Sequence, residues 1–133
     1  MPSHRTDIQM RFGDTDALGH VNNASLATYA EVARLDFLQG FGRAVTSLIL
    51  ASLYLDYRKQ VGFGDTVYVD TWVEKLGRSS IVLRQTIVAN GDRAVDVKSV
   101  VVHFDYADGK SLALTDDMRR ALDSYLQEEK EVP

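Results

Sequence analysis

Hydrophobic and polar side chains alternate along much of this chain with the period of two that half-buried β-strands require. The alternation predicts five strands, at residues 6–12, 53–58, 67–74, 81–89 and 93–106. Asn90-Gly91 lies between the last two, and because both residues tolerate the positive φ of a type I′ turn, the pair predicts a β-hairpin. We therefore expect an antiparallel sheet.

A different pattern occupies residues 24–39, where small, bulky and polar side chains each recur at every third position. Positions three apart drift around a helix of 3.6 residues per turn, so apolar groups cover most of its circumference. Asn22 or Asn23 can cap the first turn, and Gly40 or Gly42 can end the last. The pattern indicates one long, largely buried helix.

A shorter amphipathic helix follows the last strand. Thr115 is a suitable N-cap, and Asp116 and Asp117 favour the positive end of the helix dipole. The apolar stripe of this helix lies within residues 118–126, and the charged residues 128–133 are expected to fray.

Strand, long helix, four strands and short helix, in that order, form an α+β plan. The 133 residues suit one domain, 1–133, because no repeat, low-complexity segment or linker interrupts them. One antiparallel sheet covers only one side of a helix that is apolar nearly all round. A second copy of the chain is therefore expected to complete the burial, which predicts a homodimer.

Composition narrows the classes of function. The formal net charge is -4, so no overall positive field attracts nucleic acid. The absence of cysteine excludes disulfides, thiolate catalysis and cysteine metal ligands, and suits a cytoplasmic protein. No apolar run approaches the roughly 18 residues that span a bilayer, and the first residues are polar, so neither membrane insertion nor a secretion signal is expected.

Candidate chemistry is concentrated just before the long helix. Residues 13–23 hold two aspartates, one histidine and two asparagines, namely Asp14, Asp16, His20, Asn22 and Asn23. Carboxylates beside a helix N-terminus are stabilised by the dipole and by free backbone amides, so a capping loop is the simplest interpretation.

Two other chemistries fit the same segment less well. An Asp-x-Asp pair can bind a divalent metal, but further oxygen ligands at a recognisable spacing are missing, so neither a metal nor a cofactor is expected. A Ser-His-Asp triad could be assembled from His20 and Ser25, yet the Gly-x-Ser-x-Gly elbow of that class is absent.

Several segments carry a family resemblance that extends from about residue 6 to residue 122. They are Asp14-Thr15-Asp16, Gly19-His20-Val21-Asn22-Asn23, Tyr29 with Glu31, Ala33 and Arg34, Asp56-Tyr57-Arg58-Lys59, Gly62-Phe63-Gly64-Asp65 and Val73-Glu74-Lys75-Leu76-Gly77-Arg78-Ser79-Ser80. Together they resemble the 4-hydroxybenzoyl-CoA thioesterase-like family of hot-dog proteins. The resemblance implies a long central helix wrapped by a five-stranded antiparallel sheet, with a short C-terminal helix. It also implies dimers whose sheets join edge to edge, or dimers of dimers, with active sites at the subunit interface.

The resemblance further implies an acyl-CoA thioesterase in which Asp16 is the general base or the nucleophile. A thioester carbonyl is electrophilic and the departing thiol has a pKa of about 8.5, so one carboxylate and oxyanion stabilisation can suffice. The first amides of the helix can supply that stabilisation, with Asn23 as the expected backbone donor. His20 is expected to line the pocket or orient water.

Coenzyme A carries phosphates that cationic and hydroxyl side chains can bind near the surface. The candidates are Arg58, Lys59, Arg78, Ser79 and Ser80. Relatives often carry an aromatic residue where this chain has Leu26, which leaves the acyl group open.

Two other functions fit the same fold. The main alternative is a non-catalytic acyl-CoA-binding or regulatory hot-dog module, which would not need a carboxylate at Asp16. A hot-dog dehydratase is disfavoured because the chain lacks the His-containing helix motif of that group.

Overall fold

The computed structural model describes residues 2–127 of the chain. Its main elements are β1 (His4–Ile8), α1 (Asn23–Gln39), β2 (Leu48–Tyr57), β3 (Val67–Leu76), β4 (Ser80–Ala89), β5 (Asp92–Asp105), β6 (Lys110–Ser111) and α2 (Asp116–Asp123). Short 3-10 turns at Phe12–Asp14 and Gly42–Ala44 precede α1 and β2. The five long strands form one antiparallel sheet in the order β1-β3-β4-β5-β2, and the two-residue β6 pairs with β5. This confirms the predicted α+β plan.

Local sequence signals set several boundaries. The side chain of Asn22 accepts a hydrogen bond from the amide of Ala24 at 2.8 Å, which makes Asn22 the N-cap of α1. Thr115 caps α2 in the same way, since its hydroxyl accepts from the amide of Met118 at 3.1 Å. Asn90 and Gly91 have φ angles of 50° and 82°, as a type I′ turn requires. The predicted caps and hairpin are therefore confirmed; residues 128–133, predicted to fray, lie outside the described residues.

Two of the predicted strands have different bounds in the structure. β1 ends at Ile8 rather than at residue 12, because the carboxylate of Asp14 accepts from the amide of Arg11 and closes a 3-10 turn. Phe12 lies in that turn and is 79% exposed. β2 begins at residue 48 rather than 53, and a register shift between residues 50 and 52 breaks the period of two that the sequence pattern depends on.

Helix α1 packs against β1, β3 and β4, and its apolar surface is only partly covered. Leu26, Ala30 and Phe37 are buried on the face that meets the sheet. Val32 and Leu35 lie on other faces and are 47% and 48% exposed. The expected burial of the helix is thus incomplete in a single chain.

A row of buried polar residues divides the core into two apolar clusters. This polar belt consists of Arg34 on α1, Thr71 on β3, Gln85 on β4 and Ser99 on β5. The cluster nearer the start of α1 includes Leu26, Ala30, Val61, Val69, Ile87 and Val97, and the other includes Phe37, Val73, Leu83, Val101 and Met118. In each element the belt residue therefore lies between one cluster and the other.

The hydrogen bonds of the polar belt are unevenly distributed. The amide of Gln85 donates to the carbonyl oxygen of Ala30 at 3.0 Å and to the hydroxyl of Thr71 at 3.1 Å. The side chain of Arg34 makes no hydrogen bond within residues 2–127, and its nearest carboxylate is Glu31 at 3.9 Å. Burial lowers the pKa of Arg34, although nearby Glu31 partly opposes this shift.

The two edges of the sheet differ. At the β1 edge, the chain near its C-terminal end continues the pairing, because the amide of Val73 donates to Tyr125 and the amide of Gln127 donates to Val73. Strand β2 pairs only with β5 among the described strands. Its five exposed large apolar side chains are Ile49, Leu50, Leu53, Tyr54 and Tyr57. A long edge of this kind is a ready template for another strand.

Candidate active site

The predicted catalytic aspartate lies in a tight loop before α1. The amide of Asp16 donates to the carbonyl of His20 at 2.7 Å, and Gly19 between them has a φ of 82° that favours glycine. Oδ1 of Asp16 accepts from the amides of Leu18 and His20 at 2.8 and 3.2 Å. No donor within residues 2–127 meets Oδ2. The loop therefore holds the carboxylate in place and leaves one of its oxygens available.

Asp14 has a different environment, although it is only two residues away. It is buried, and its carboxylate accepts from the hydroxyl of Tyr29 at 2.7 Å and from the amide of Arg11 at 3.0 Å. The bonds from Tyr29 and Arg11 hold the pKa of Asp14 below its ordinary value. Its carbonyl oxygen also accepts from the amide of Asn22. These contacts make Asp14 a structural link between the loop and α1.

A cavity of about 430 Å³ opens beside Asp16. It is lined by Asp16, His20 and Val21 from the loop, by Asn22, Asn23 and Leu26 from the start of α1, and by residues 57–61 at the end of β2. The structure thus brings together Asp16, His20, Asn23, Arg58 and Lys59 in one place. The cavity also includes residues that the sequence did not single out for the site, chiefly Tyr57 and Gln60, because their convergence depends on strand register.

Among the residues of α1 that line this cavity, Asn23 has a free backbone donor. The amide of Ala24 is occupied by the side chain of Asn22, whereas the amide of Asn23 finds no acceptor within residues 2–127. His20 is half-buried, and its Nδ1 also has no partner in the described part of the chain. The amide of Asn23 can therefore bind a ligand without breaking a bond within residues 2–127, whereas Nδ1 of His20 is enclosed by the protein.

The cations in the cavity wall are already paired with carboxylates. Arg58 forms ion pairs with Asp96 and Asp56, and Lys59 forms one with Asp92. The burial of Asp96 opposes its ionisation, but bonds from Arg93 and Arg58 bring its pKa below the ordinary value. These positive charges are compensated, which reduces the attraction they can offer to phosphate.

Arg78, Ser79 and Ser80 lie at the other end of the sheet, in the turn between β3 and β4 and at the start of β4. They do not line the cavity. Since a strand rises about 3.3 Å per residue, β3 separates them from the cavity end of the sheet by roughly 30 Å. Arg78 forms no ion pair with any carboxylate in residues 2–127, so its charge is uncompensated by a close partner.

Within residues 2–127, histidine, aspartate and glutamate side chains form no group of three or more that could hold a metal ion. None of the described helices has the length and apolar character needed to cross a membrane.

Comparisons with known proteins agree with the geometry. The model of the thioesterase-like superfamily matches residues 10–122. The long-chain acyl-CoA thioesterase FadM of Escherichia coli K12 is 25% identical over 131 residues, which are 92% of this chain and 99% of FadM. A solved thioesterase of Thermus thermophilus, complexed with coenzyme A and Zn, is 31% identical with a TM-score of 0.84, over 91% of this chain and 92% of its own. A predicted thioesterase of Bacillus stearothermophilus is 26% identical with a TM-score of 0.89, over 97% and 100% of the two chains.

The sheet and central helix are those of the hot-dog fold, as the sequence motifs predicted. The chain belongs to the thioesterase-like superfamily. It is accordingly a thioester hydrolase.

Proposed function

We propose that the chain is an acyl-CoA thioesterase in which Asp16 drives hydrolysis. The observation that carries the proposal is that Asp16, with one carboxylate oxygen free, and Asn23, with a free backbone amide, line the same cavity. One group can activate water while the other stabilises the oxyanion, which are the two functions that thioester hydrolysis requires. FadM and the CoA-bound neighbour support acyl-CoA as the class of substrate.

In the general-base route, water adds to the thioester carbonyl carbon while the free oxygen of Asp16 accepts its proton. The amide of Asn23 stabilises the oxyanion that forms. Collapse breaks the carbon–sulfur bond, and the proton held by Asp16 passes to the departing thiolate, which gives the free acid and CoA. In the nucleophilic route, Asp16 attacks the carbonyl itself, and the carbon–sulfur bond breaks to release CoA as the thiolate. Water then hydrolyses the mixed anhydride, which frees the acid, restores the Asp16 carboxylate and supplies the proton taken by the thiolate. In either route His20, which lines the same cavity, would orient the attacking water.

We further propose that the working unit is a homodimer, or a dimer of dimers, formed through β2. Support comes from the contrast between the edges, since chain pairing extends along the β1 edge while β2 is open and apolar. Antiparallel pairing of β2 with its copy places the Tyr57 end of one strand beside the Leu48 end of the other. Ser80 pairs with Val102 close to the Leu48 end, so the partner's turn approaches this chain's cavity.

This arrangement gives the predicted CoA contacts different weights. Arg78, Ser79 and Ser80 of one chain would bind the phosphates of a substrate whose carbonyl lies at Asp16 of the other. Arg58 and Lys59 lie in the cavity wall itself but are engaged by Asp96 and Asp92. We propose that Arg78 is the main phosphate contact, because no carboxylate in residues 2–127 is close enough to need displacing.

The proposal is tested by thiol release from a panel of short, long and aromatic acyl-CoAs. Hydrolysis of at least one member, with the rate lost in Asp16→Asn, is expected. Activity that survives in a folded Asp16→Asn protein would reject the mechanism, and inactivity of the wild type across the panel would reject the substrate class. We also propose a cytoplasmic location, which the cysteine-free composition favours and which cell fractionation would check.

A further inference from the structure

We propose that Glu31 of a second copy supplies the hydrogen-bond acceptor that Arg34 lacks, so that two reciprocal Arg34–Glu31 ion pairs hold the dimer together. The inference rests on the β2 dimer of the proposed function and adds the charged contact that stabilises it. It assigns the flank of α1 nearest β2 as an interface between copies of this chain.

Arg34 is a buried cation without a hydrogen-bonded partner among the described residues. Its side chain is only 6% exposed and makes no hydrogen bond within residues 2–127. Nη1 is enclosed by the chain itself, so an acceptor from outside can reach the guanidinium only on the Nη2 side, which faces Glu31. Its single carboxylate neighbour, Glu31, stands at 3.9 Å, beyond hydrogen-bond distance. A buried charge without good partners is strongly unfavourable, so a missing acceptor is a reason to look beyond the single chain.

Arg34 and Glu31 lie on the flank of α1 that faces away from β1. Asp36 accepts hydrogen bonds from His4 and Thr6, so its side of the helix faces β1. Each helical residue turns by about 100°, which puts Arg34 about 200° from Asp36 and therefore on the flank toward β2. Glu31 lies one turn earlier beside Arg34, and its side chain is 59% exposed. Its carboxylate accepts no hydrogen bond from the described residues and can take a donor from outside the chain.

The polar belt sets the height of these residues relative to the axis of the proposed dimer. Ser99 of the polar belt pairs with Leu53 in the middle of β2. Gln85 of the same belt bonds to the carbonyl of Ala30, one turn before Arg34. Full antiparallel overlap of β2 with its copy puts a two-fold axis between Ser52 and Leu53, at the level of the polar belt.

At a two-fold axis, a contact from residue i to residue j is repeated from j to i. The part of α1 at the level of the axis is the turn that contains Glu31 and Arg34. Two copies of this turn carry two cations and two carboxylates, which is a self-complementary arrangement. Leu35 continues the same surface and is 48% exposed, so an apolar contact borders the charges.

The test measures the dimer dissociation constant by sedimentation equilibrium for wild type, Glu31→Arg, Arg34→Met, Arg34→Glu and the double variant Arg34→Glu with Glu31→Arg. Glu31 is exposed in the single chain, so its substitution leaves the subunit fold intact, and Arg34→Met keeps a side chain of similar bulk. Asp7→Arg is the matched control, because Asp7 is an exposed acid on the opposite edge and the change in net charge equals that of Glu31→Arg.

Glu31→Arg and Arg34→Met are expected to raise the dissociation constant at least about 30-fold, the scale for breaking a buried charge pair at an interface. Asp7→Arg is expected to leave it unchanged, and the charge-swapped double variant is expected to dimerise more tightly than either charge-reversed single variant. An unaltered constant in Glu31→Arg would overturn the inference while the β2 dimer stands. The inference would also be overturned if Arg34→Met lowered the stability of the subunit but left the dimer dissociation constant unchanged. A wild type that stays monomeric at every concentration would overturn the dimer as well.

Discussion

The hydroxyl of Tyr29 donates a 2.7 Å hydrogen bond to the carboxylate of Asp14, and both groups are buried. This bond joins the second turn of α1 to the loop that carries Asp16. Burial, reinforced by the neighbouring carboxylate, raises the pKa of Tyr29 well above its ordinary value, so the phenol stays a donor throughout the working pH range. The bond gives Asp14 a structural role, which distinguishes it from Asp16, the candidate catalytic residue two positions later.

Replacement of Tyr29 by phenylalanine should destabilise the subunit by about 1.5–3 kcal/mol, the scale for a hydrogen bond to a charged group. The ring still fills the core, so the loss isolates the hydroxyl. Urea unfolding measures the change. Asp14→Asn in the same background should cost less than it does in the wild type, because the two residues share one bond; full additivity would show that they act independently.

Stability should fall as the solution is acidified below about pH 4, the ordinary titration range of aspartate. The bond from Tyr29 lowers the pKa of Asp14, and bonds from Thr6 and His4 lower that of Asp36. A depressed folded pKa contributes stability that is present above the unfolded pKa and lost as pH falls through the folded one. Urea midpoints between pH 7 and pH 3 measure this slope. Tyr29→Phe should flatten it, and an equal slope in that variant would contradict the assignment to Asp14.

Asp16→Asn should reduce kcat by roughly 10² to 10⁴, the usual contribution of a positioned acid or base. The side-chain oxygen of asparagine can still accept the amides of Leu18 and His20, so the loop should be preserved. Circular dichroism and thiol release on the same samples check both halves. Asp14→Asn should instead act mainly on stability, and a larger loss of kcat there would reverse the two roles.

Mixed dimers should reveal whether the site draws on both chains. Arg78→Glu should raise KM by repelling the phosphates, with a smaller effect at high salt. When Asp16→Asn and Arg78→Glu proteins are equilibrated together, half of the dimers are mixed. Each mixed dimer carries one intact site and one doubly substituted site. About a quarter of the wild-type rate should therefore return at low substrate. A rate equal to the mean of the separate preparations would reject the shared site.

His20→Ala is the matched partner for that experiment. His20 lines the same cavity as Asp16 of its own chain, so no mixed dimer of His20→Ala with Asp16→Asn regains a complete site. If activity returned in this mixture as well, the activity gained with Arg78→Glu could not be attributed to a site assembled from two chains.

The sequence anticipated the elements whose boundaries depend on local chemistry. Asn22 and Thr115 cap helices, and Asn90-Gly91 forms its turn, because each satisfies a backbone requirement within a few residues. The start of β2 was missed because a bulge reverses the alternation, and Phe12 was misplaced because the Asp14 carboxylate ends β1 early.

The candidate site was only partly predictable for a related reason. Asp16, His20 and Asn23 lie within eight positions of one another, so one motif locates all three. Tyr57 and Gln60 reach the cavity only through the register of β2 against β5, which a single sequence does not specify. Arg78 lies far from the cavity of its own chain, so it can contact the substrate only in the proposed dimer.

The polar belt has a consequence for how the strands find their alignment. Alternating side chains reject a slip of one residue, since that would turn the apolar face outward, but they accept a slip of two. Thr71 faces Gln85 in the observed register. A two-residue slip would set Gln85 against Val69 or Val73. This would leave a buried polar group without a hydrogen-bond partner, at a cost of about 1–3 kcal/mol. The polar belt therefore disfavours two-residue slips of strand register, which a purely apolar sheet interior would tolerate.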